Sequence, residues 1–242
     1  MTINTPKIDE YFTNISESEL EDIYNDKLKK GILKNNNKKL GKLIWDFSLP
    51  PIVSCPNCED CKLDCYAVST YKMYKSAKLS WDNNFKLCLN DLDLFKDCVI
   101  NQLSKGKIKM IRIHQSGDFY SDEYLQSWIE IINLFPNIKF FAYTKSFEGK
   151  NFTPPENLNI IDSFIEYEGY KYLNFSNYDV ISKLRNKTKS IICPNTKGGY
   201  LKNIHKKDKQ SMQYIKGDKL KKMTCSDCLY CIDKKNVLFV QH

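Results

Sequence analysis

An α/β fold built from parallel strands is predicted by three observations. Short apolar strand segments alternate with helical segments along the chain. Polar residues follow directly after several of these strands, where ligands of parallel βα proteins bind. Neither an internal repeat nor a Gly/Ser-rich linker divides the 242 residues. The predicted organisation is a polar N-terminal extension at residues 1–37 and a single α/β domain at residues 38–242.

The individual elements follow from hydrophobic periodicity and from the residues that break it. Residues 1–30 are polar and partly helical, with an acidic stretch at residues 9–26. Apolar residues recur at three- and four-residue steps over residues 66–98, which predicts mostly helix. Residues 124–134 predict an amphipathic helix with Asp122 near its cap. The predicted strands are residues 42–49, 107–114, 138–143, 159–165, 189–192 and 237–240.

Eight of the ten cysteines fall into two groups near opposite ends of the chain. The first group is Cys55, Cys58, Cys61 and Cys65, and the second is Cys225, Cys228 and Cys231 with Cys193 as a fourth member. The C-x2-C-x2-C-x3-C spacing of the first group is that of bacterial ferredoxins, although Tyr66 stands where a proline normally follows. Both groups therefore predict metal ligands, with two [4Fe–4S] clusters as the expected cofactors.

Zinc and disulfides are the alternatives for these thiols. Zinc usually pairs two C-x2-C units around one ion, and a shared middle cysteine is awkward for that arrangement. Disulfides need an oxidising compartment, whereas the polar residues 1–10 lack the apolar core of a signal peptide. We therefore expect a cytoplasmic, reducing environment, and no apolar run approaches the roughly 20 residues that span a bilayer. Cys88 and Cys98 are expected to be buried packing residues.

The net charge of +8 is unevenly distributed. Residues 183–235 contain 15 Lys or Arg and 4 Asp, an excess of 15 − 4 = 11. A basic segment beside clustered thiolates predicts binding of nucleic acid or of an acidic partner through the C-terminal half. The alternative is a solvated face that offsets the negative charge of thiolate-bound clusters.

Polar motifs follow three consecutive predicted strands. The first strand leads to the cysteines at residues 55–65, the second to His114-Gln-Ser-Gly-Asp-Phe-Tyr120, and the third to Tyr143-Thr-Lys-Ser146. Because Arg112 and His114 alternate along one strand, both are expected to face the barrel interior, where an arginine needs an anionic partner. The alternatives are that Gly117 allows a turn, that Asp118 and Ser121 cap the next helix, that Lys145 is a surface lysine, and that His114 is a hydrogen-bonded core residue.

These motifs resemble the phage gene product 88 family over residues 38–242. The resemblance is carried by Lys39-Leu-Gly41, Phe47-Ser-Leu-Pro50, Ser54-Cys-Pro56, Cys61, Cys65-Tyr-Ala67, Arg112-Ile-His-Gln-Ser-Gly-Asp-Phe-Tyr-Ser121, Tyr143-Thr-Lys-Ser146, Cys193-Pro194 and the C-terminal cysteines. More distantly, the layout is similar to radical S-adenosylmethionine (SAM) enzymes, including spore-photoproduct-lyase-like members. That similarity implies a partial (β/α) barrel with a three-cysteine cluster after the first strand and an auxiliary C-terminal cluster at about residues 193–235.

The radical SAM similarity also implies roles for individual residues. Ser116, Gly117 and Asp118 would contact the methionine amino group of SAM and are expected cofactor-binding residues. The polar motifs at the strand ends add Tyr143 to the expected cofactor-binding residues and make Arg112, His114 and Lys145 the expected catalytic residues. The usual C-x3-C-x2-C spacing is absent, so the implied ligands are Cys55, Cys61 and Cys65, with Cys58 spare. If all four cysteines bind one cluster, no iron is open to SAM.

Three functions are therefore expected from the sequence. The first is a radical SAM-like enzyme that takes an electron from a donor and generates a 5′-deoxyadenosyl radical to act on an unknown substrate, either a nucleic acid or a phage-related metabolite. The second is a non-catalytic redox or structural iron–sulfur protein that binds nucleic acid. The third is a zinc-stabilised interaction protein.

Overall fold

The computed structural model describes residues 8–58, 62, 65–146 and 153–162, with shorter stretches at 166–167, 170–171, 191–192, 215–216, 219–220, 224–229, 231–232 and 237–238. The chain divides into two compact units, which are described separately. Unit 1 is Met1–Asn35 with Ile44–Phe164, and unit 2 is Asn36–Leu43 with Ile165–His242. The boundary predicted at residue 37 stays a prediction.

Unit 1 contains a sheet of four parallel strands. They are β1 (Ile44–Asp46), β2 (Met110–Ile113), β3 (Lys139–Thr144) and β4 (Leu158–Asp162), hydrogen-bonded in that order. The predicted mixed α/β class with parallel strands is confirmed. The finer prediction, a partial (β/α) barrel of the radical SAM type, stays a prediction.

The described part of unit 1 contains six helices, of which two precede β1, three lie between β1 and β2, and one lies between β2 and β3. They are α1 (Glu10–Thr13), α2 (Glu17–Lys30), α3 (Tyr66–Met73), α4 (Lys75–Asn90), α5 (Leu92–Ser104) and α6 (Asp122–Leu134). The helix predicted over residues 66–98 is three helices, because the backbone is extended at Tyr74 and Asp91. The Asp91 carboxylate accepts hydrogen bonds from the amides of Asp93 and Leu94, and so begins α5 as an N-cap.

The core lies on one face of the sheet. Alternate residues of the central strands, including Ile111, Ile113, Phe140 and Ala142, are buried in one hydrophobic cluster with the helices. Trp128 of α6 packs edge-on against the rings of Phe47 and Phe95, with both ring centroids 5.4 Å away. Cys88 and Cys98 are both 1% exposed within this cluster, which confirms their predicted packing role.

The N-terminal segment is joined to this core. The predicted helical content of residues 1–30 is confirmed by α1 and α2, and Phe12 and Ile23 are buried. Lys27 is also buried, and its Nζ donates a hydrogen bond to the carbonyl oxygen of Ser80, 3.1 Å away. Burial lowers the pKa of Lys27 to about 8 from its ordinary 10.5, with a smaller contribution from Lys34.

Lys27 should make stability rise with pH in the alkaline range. Between pH 8 and 10.5 the unfolded chain holds a proton on Lys27 that the folded chain has lost. Raising the pH through this window therefore favours folding, and lowering it removes that contribution. We expect Lys27→Met to abolish this rise of stability with pH when urea unfolding midpoints are measured from pH 7.5 to 10.5. Lys29→Met, at an exposed position of the same helix, is the control.

Unit 2 contains short elements. Strands β7 (Ile191–Ile192) and β10 (Val237–Leu238) pair in parallel, and they lie within two of the predicted strands. The structure adds two antiparallel pairs and a short helix: β5 (Glu166–Tyr167) with β6 (Tyr170–Lys171), β8 (Ile215–Lys216) with β9 (Lys219–Leu220), and α7 (Cys225–Cys228). Throughout the described ranges of both units, every helix is too short or too polar to cross a bilayer.

Candidate functional site

The cysteine loop of unit 1 begins at the carboxyl edge of the parallel sheet, beside the loop that follows β2. Four backbone hydrogen bonds join the two segments. They run from Phe47 N to Arg112 O (3.2 Å), Gln115 N to Phe47 O (3.0 Å), Leu49 N to Ser116 O (2.9 Å) and Asp118 N to Ser54 O (3.1 Å). The predicted meeting of the first two strand ends is therefore confirmed, with Cys55 directly after the last of these contacts.

The described thiols of this loop are partly accessible. Cys55, Cys58 and Cys65 are half-buried, and none of the described cysteines forms a disulfide. Cys61 lies outside the described residues. Within the described part of the chain, no three His, Cys, Asp or Glu side chains are close enough to hold a metal ion. The complete ligand set of the first group therefore stays a prediction.

Gly117 brings the two loops into contact. Its φ of +89° lies in the left-handed region, which confirms the predicted turn. A Cβ at this position would lie 2.6 Å from Leu49 Cβ and 2.7 Å from Ser54 Oγ. Ser54 itself is fully buried, and its hydroxyl donates to the carbonyl oxygen of Pro50 at 2.6 Å. The residue just before Cys55 is thus fixed by a glycine on the neighbouring loop.

Asp118 links the β2 loop to the end of β3. Its Oδ1 accepts hydrogen bonds from Thr144 Oγ1 (2.6 Å) and Phe119 N (2.8 Å), and its Oδ2 accepts one from Lys145 N (2.9 Å). The interpretation of Asp118 as a helix cap is wrong, because Ser121 alone of the two accepts from the first turn of α6, at Tyr124 N. A carboxylate occupied by these donors serves the fold, and its predicted cofactor contact stays a prediction.

Burial raises the pKa of Asp118 to about 6 from its ordinary 3.8, although the hydrogen bonds from Lys145, Thr144 and Phe119 act in the opposite direction. Between pH 3.8 and 6 the folded chain holds a proton that the unfolded chain has lost. Stability therefore falls as the pH rises through this window.

Asp118→Asn should weaken the carboxyl edge. The amide nitrogen meets either the Lys145 donor or both the Thr144 and Phe119 donors, depending on its orientation, and so leaves at least one buried donor unsatisfied. We expect a loss of about 1–3 kcal/mol in the free energy of unfolding. The fall in the free energy of unfolding between pH 3.8 and 6, which Asp118 causes, should vanish as well. Urea denaturation at pH 4, 5 and 7 measures both effects, with Asp93→Asn, at a side chain 90% exposed, as the control.

His114 and Arg112 do not share surroundings, contrary to the expectation from alternation. His114 has φ +61°, which breaks the strand pattern, and its ring packs 4.6 Å from that of Phe119 in the core. Its Nε2 lies 2.9 Å from Tyr124 Oη, and its Nδ1 has no hydrogen-bond partner among the described residues. Burial, assisted by the charge of Arg112, lowers the pKa of His114 to about 3, so the ring is neutral. Its catalytic role stays a prediction.

Arg112 lies on the other face of the sheet, in an aromatic and acidic environment. Its guanidinium carbon is 4.9 Å from the centre of the Tyr143 ring, and its Nη2 donates to Tyr66 Oη at 3.3 Å. The Tyr66 hydroxyl donates in turn to the carbonyl oxygen of Gln115. Asp46 is the partner of Arg112 in the β1–β2 register. Burial raises the pKa of Asp46 to about 6, while the positive charge of Arg112 opposes the shift.

Asp46 is therefore an anionic neighbour of the kind that the sequence predicts for Arg112. The half-buried side chains of Arg112 and Tyr143 remain partly accessible at this edge. Lys145, also half-buried, uses both of its backbone polar groups to bind neighbouring loops. Ser116 is buried, and its hydroxyl has no hydrogen-bond partner among the described residues. The predicted roles of these side chains in binding or catalysis stay predictions.

Sequence reasoning missed Asn57, and it included Thr144 in the Tyr143-Thr-Lys-Ser146 motif without giving this residue a role of its own. Asn57 lies between two cysteines, and its Nδ2 donates to the carbonyl oxygen of Lys145 at 2.7 Å. Thr144 is 1% exposed and joins Asp118 to the amide of Ser146. The available signals were an amide side chain within a C-x2-C step and a threonine at the last position of a strand.

The second cysteine group lies in unit 2. Cys225 N and Ser226 N donate to the carbonyl oxygens of Lys39 and Leu40 at 2.9 and 2.8 Å, so α7 begins on the Lys39-Leu-Gly41 segment. Gly41 has φ +83°, and a Cβ there would lie 2.6 Å from Thr224 Oγ1. The thiols of Cys225 and Cys231 are half-buried. Cys193 and the side chain of Cys228 lie outside the described residues, so this ligand set also stays a prediction.

The fold and this edge define a class: a mixed α/β protein whose parallel sheet carries a cysteine-rich loop at the carboxyl ends of its strands. The chain belongs to the gene product 88 family, whose model matches residues 18–234.

Two curated relatives come from mycobacteriophages. The Gene 88 protein of Mycobacterium phage D29 is 33% identical over 103 residues, covering 38% of this chain and 42% of that protein. The Gene 88 protein of Mycobacterium phage L5 is 32% identical over 107 residues, covering 38% and 43% respectively. The matched part thus spans less than half of either relative. No solved structure matches the chain, and the radical SAM similarity gains no support from these relatives.

Proposed function

We propose that this chain is an iron–sulfur protein that binds a [4Fe–4S] cluster through Cys55, Cys61 and Cys65 and acts on SAM. The proposal rests on one observation: four backbone hydrogen bonds hold the start of the cysteine loop at the carboxyl edge of a parallel sheet. Ligands of open parallel α/β sheets bind outside this edge. The described thiols are half-buried, and thiolates are the usual ligands of such clusters.

The chain's own residues would bind and orient the ligands. A bound cluster with one iron free of protein ligands supplies the reductive cleavage of SAM to a 5′-deoxyadenosyl radical. Gly117 permits the close approach of the two loops, and the buried Ser116 hydroxyl lies in that same loop. Arg112 and Tyr143 offer a cation and an aromatic ring on the sheet face, and Lys145 follows at the strand end. These groups suit an anionic or planar substrate, such as part of a nucleic acid.

The second cysteine group would hold a fully ligated cluster. Four thiolates, from Cys193, Cys225, Cys228 and Cys231, complete the coordination of a [4Fe–4S] cluster without an open iron. Such a cluster would transfer electrons from a donor protein or stabilise unit 2.

A non-catalytic iron–sulfur protein that binds nucleic acid is the second candidate. It is favoured by the excess of 15 − 4 = 11 positive charges in residues 183–235. Phosphate contacts release counterions, so this candidate predicts binding that weakens steeply with salt and ignores SAM.

Anaerobic reconstitution with iron and sulfide, followed by EPR of the reduced protein with and without SAM, tests the proposal. We expect a [4Fe–4S]⁺ signal that changes when SAM is added. A signal indifferent to SAM would exclude SAM binding and leave the second candidate. A preparation that retains zinc and takes up no iron would instead identify a zinc-stabilised protein.

A further inference from the structure

Two tethers fix the segment that carries Cys55 and Cys58. At one end, Asp118 N donates to Ser54 O at 3.1 Å, directly before Cys55. At the other end, Asn57 Nδ2 donates to Lys145 O at 2.7 Å, directly before Cys58. The four residues from Ser54 to Asn57 are thus attached at both ends to the carboxyl edge of the sheet.

The two tethers meet at one carboxylate. The amide of Lys145, whose carbonyl oxygen accepts from Asn57, donates to Asp118 Oδ2 at 2.9 Å. Ser54, Asn57, Lys145 and Asp118 therefore form a closed ring of contacts that runs through the cysteine segment. Asp118 is 7% exposed and Thr144, which also binds it, is 1% exposed, so this side of the ring is anchored in the protein interior.

Asn57 is the one side chain of the cysteine segment in this ring. Ser54 takes part through its backbone oxygen, and Lys145 through its backbone amide and carbonyl. Asn57 is half-buried between the half-buried residues Cys55 and Cys58. Its amide nitrogen can donate a hydrogen bond to a backbone carbonyl oxygen. Replacement of this side chain would release one end of the segment and leave the Ser54 tether in place.

We propose that Asn57 is a positioning residue that fixes the segment from Cys55 to Cys58, and with it the ligand Cys55, through Lys145 and Asp118. It touches no reacting group and acts through the backbone that it holds. The inference rests on the proposed function only in taking Cys55 as a ligand. Outer contacts of this kind orient metal ligands, and their loss lowers metal affinity by about 10- to 100-fold.

Thiol reactivity in the full-length chain, purified without metal and kept reduced, tests the positioning directly. Alkylation by iodoacetamide is followed at each cysteine by peptide mass spectrometry. We expect Asn57→Ala and the near-isosteric, uncharged Asn57→Leu, both of which lack the donor, to raise the rates at Cys55 and Cys58 by about three- to tenfold. Asn57→Gln keeps the amide and should recover part of the difference. Cys65 should keep its rate in all variants.

A matched control separates positioning from stability. Asn90→Ala removes an amide that donates to the carbonyl oxygens of Phe12 and Lys86, elsewhere in unit 1, and should leave Cys55 and Cys58 unchanged. Unchanged rates in the Asn57 variants would overturn the proposal. So would a common rise at all thiols, including the buried Cys88, because it would show general loosening of the fold.

Cobalt(II) titration supplies the ligand-binding readout, since thiolate coordination of this ion has a characteristic absorption. We expect Asn57→Leu to raise the midpoint at the first cysteine group by about tenfold. If the chain takes up no iron but Cys55 and Cys58 still become more reactive in Asn57→Leu, the proposed function fails and the positioning role holds. Iron uptake with unchanged thiol rates would instead overturn the positioning role of Asn57 and leave the proposed function standing.

Discussion

Cys61→Ala is expected to remove about half of the bound iron and to abolish any cleavage of SAM. Cys58→Ala should retain all of the iron and the cleavage of SAM. The reason lies in the number of ligands. A cluster held by Cys55, Cys61 and Cys65 keeps one iron open, and the loss of one of three ligands removes the cluster. Cys58 is spare in this arrangement. Iron content after anaerobic reconstitution and the release of 5′-deoxyadenosine measure the two effects.

The second cysteine group provides the control for this comparison. Cys228→Ala should remove the other half of the iron and leave the SAM-dependent change of the EPR signal intact, because its ligands come from residues 193–231. Equal losses of iron and activity in Cys58→Ala and Cys61→Ala would contradict the three-ligand arrangement. They would point instead to a closed four-thiolate cluster with no iron for SAM.

The order and kind of the elements were predictable because they depend on local patterns. Alternating strands and helices predicted parallel pairing, and all four strands of the unit 1 sheet were located within a few residues. Helix ends were less accurate, because periodicity continues across a break. The extended backbone at Tyr74 divides a segment whose apolar spacing predicts a continuous helix. Asp91 breaks the same segment through a side-chain cap that competes with helix continuation.

The carboxyl edge was predictable as a meeting place but not in its connections. The sequence places Asp118 two residues after Ser116 and one position after a glycine. This position fits a helix cap as well as a residue that binds a cofactor. The structure instead connects it to Thr144 and Lys145, more than 20 positions along the chain, and no local pattern encodes such a contact. His114 shows the same limit, since its positive φ reverses the orientation that simple alternation predicts.

The connections of Asp118 change which variants report on ligand binding. Asp118→Ala loses three internal hydrogen bonds, so a weaker affinity for SAM in that variant would not identify a direct contact. Arg112 and Tyr143 interact through a ring contact on the sheet face, and their replacement spares the Asp118 links between loops. Substitution at these two positions therefore gives a clearer test of ligand contact at this edge.

Gly117→Ala should be the most disruptive small substitution at the carboxyl edge. A left-handed φ costs a non-glycine residue about 1–2 kcal/mol. The new Cβ would also lie 2.6 Å from Leu49 Cβ and 2.7 Å from Ser54 Oγ, closer than van der Waals contact allows. Because Ser54 is fully buried, the neighbouring loop cannot yield without losing packing. We expect a total loss of about 3 kcal/mol or more in the free energy of unfolding, as overpacking alone costs about 1–3 kcal/mol.

Gly106→Ala separates the steric part of this effect from the backbone part. Gly106 has φ +72°, similar to that of Gly117, but a Cβ there would meet no atom within 4 Å. Its cost should therefore be the backbone strain alone, about 1–2 kcal/mol. Urea denaturation of both variants gives the difference, and iodoacetamide reactivity at Cys55 shows whether the loop has moved. Equal destabilisation by the two substitutions, with Cys55 unchanged, would mean that the close contact of Gly117 with Leu49 and Ser54 does not hold the cysteine loop in place.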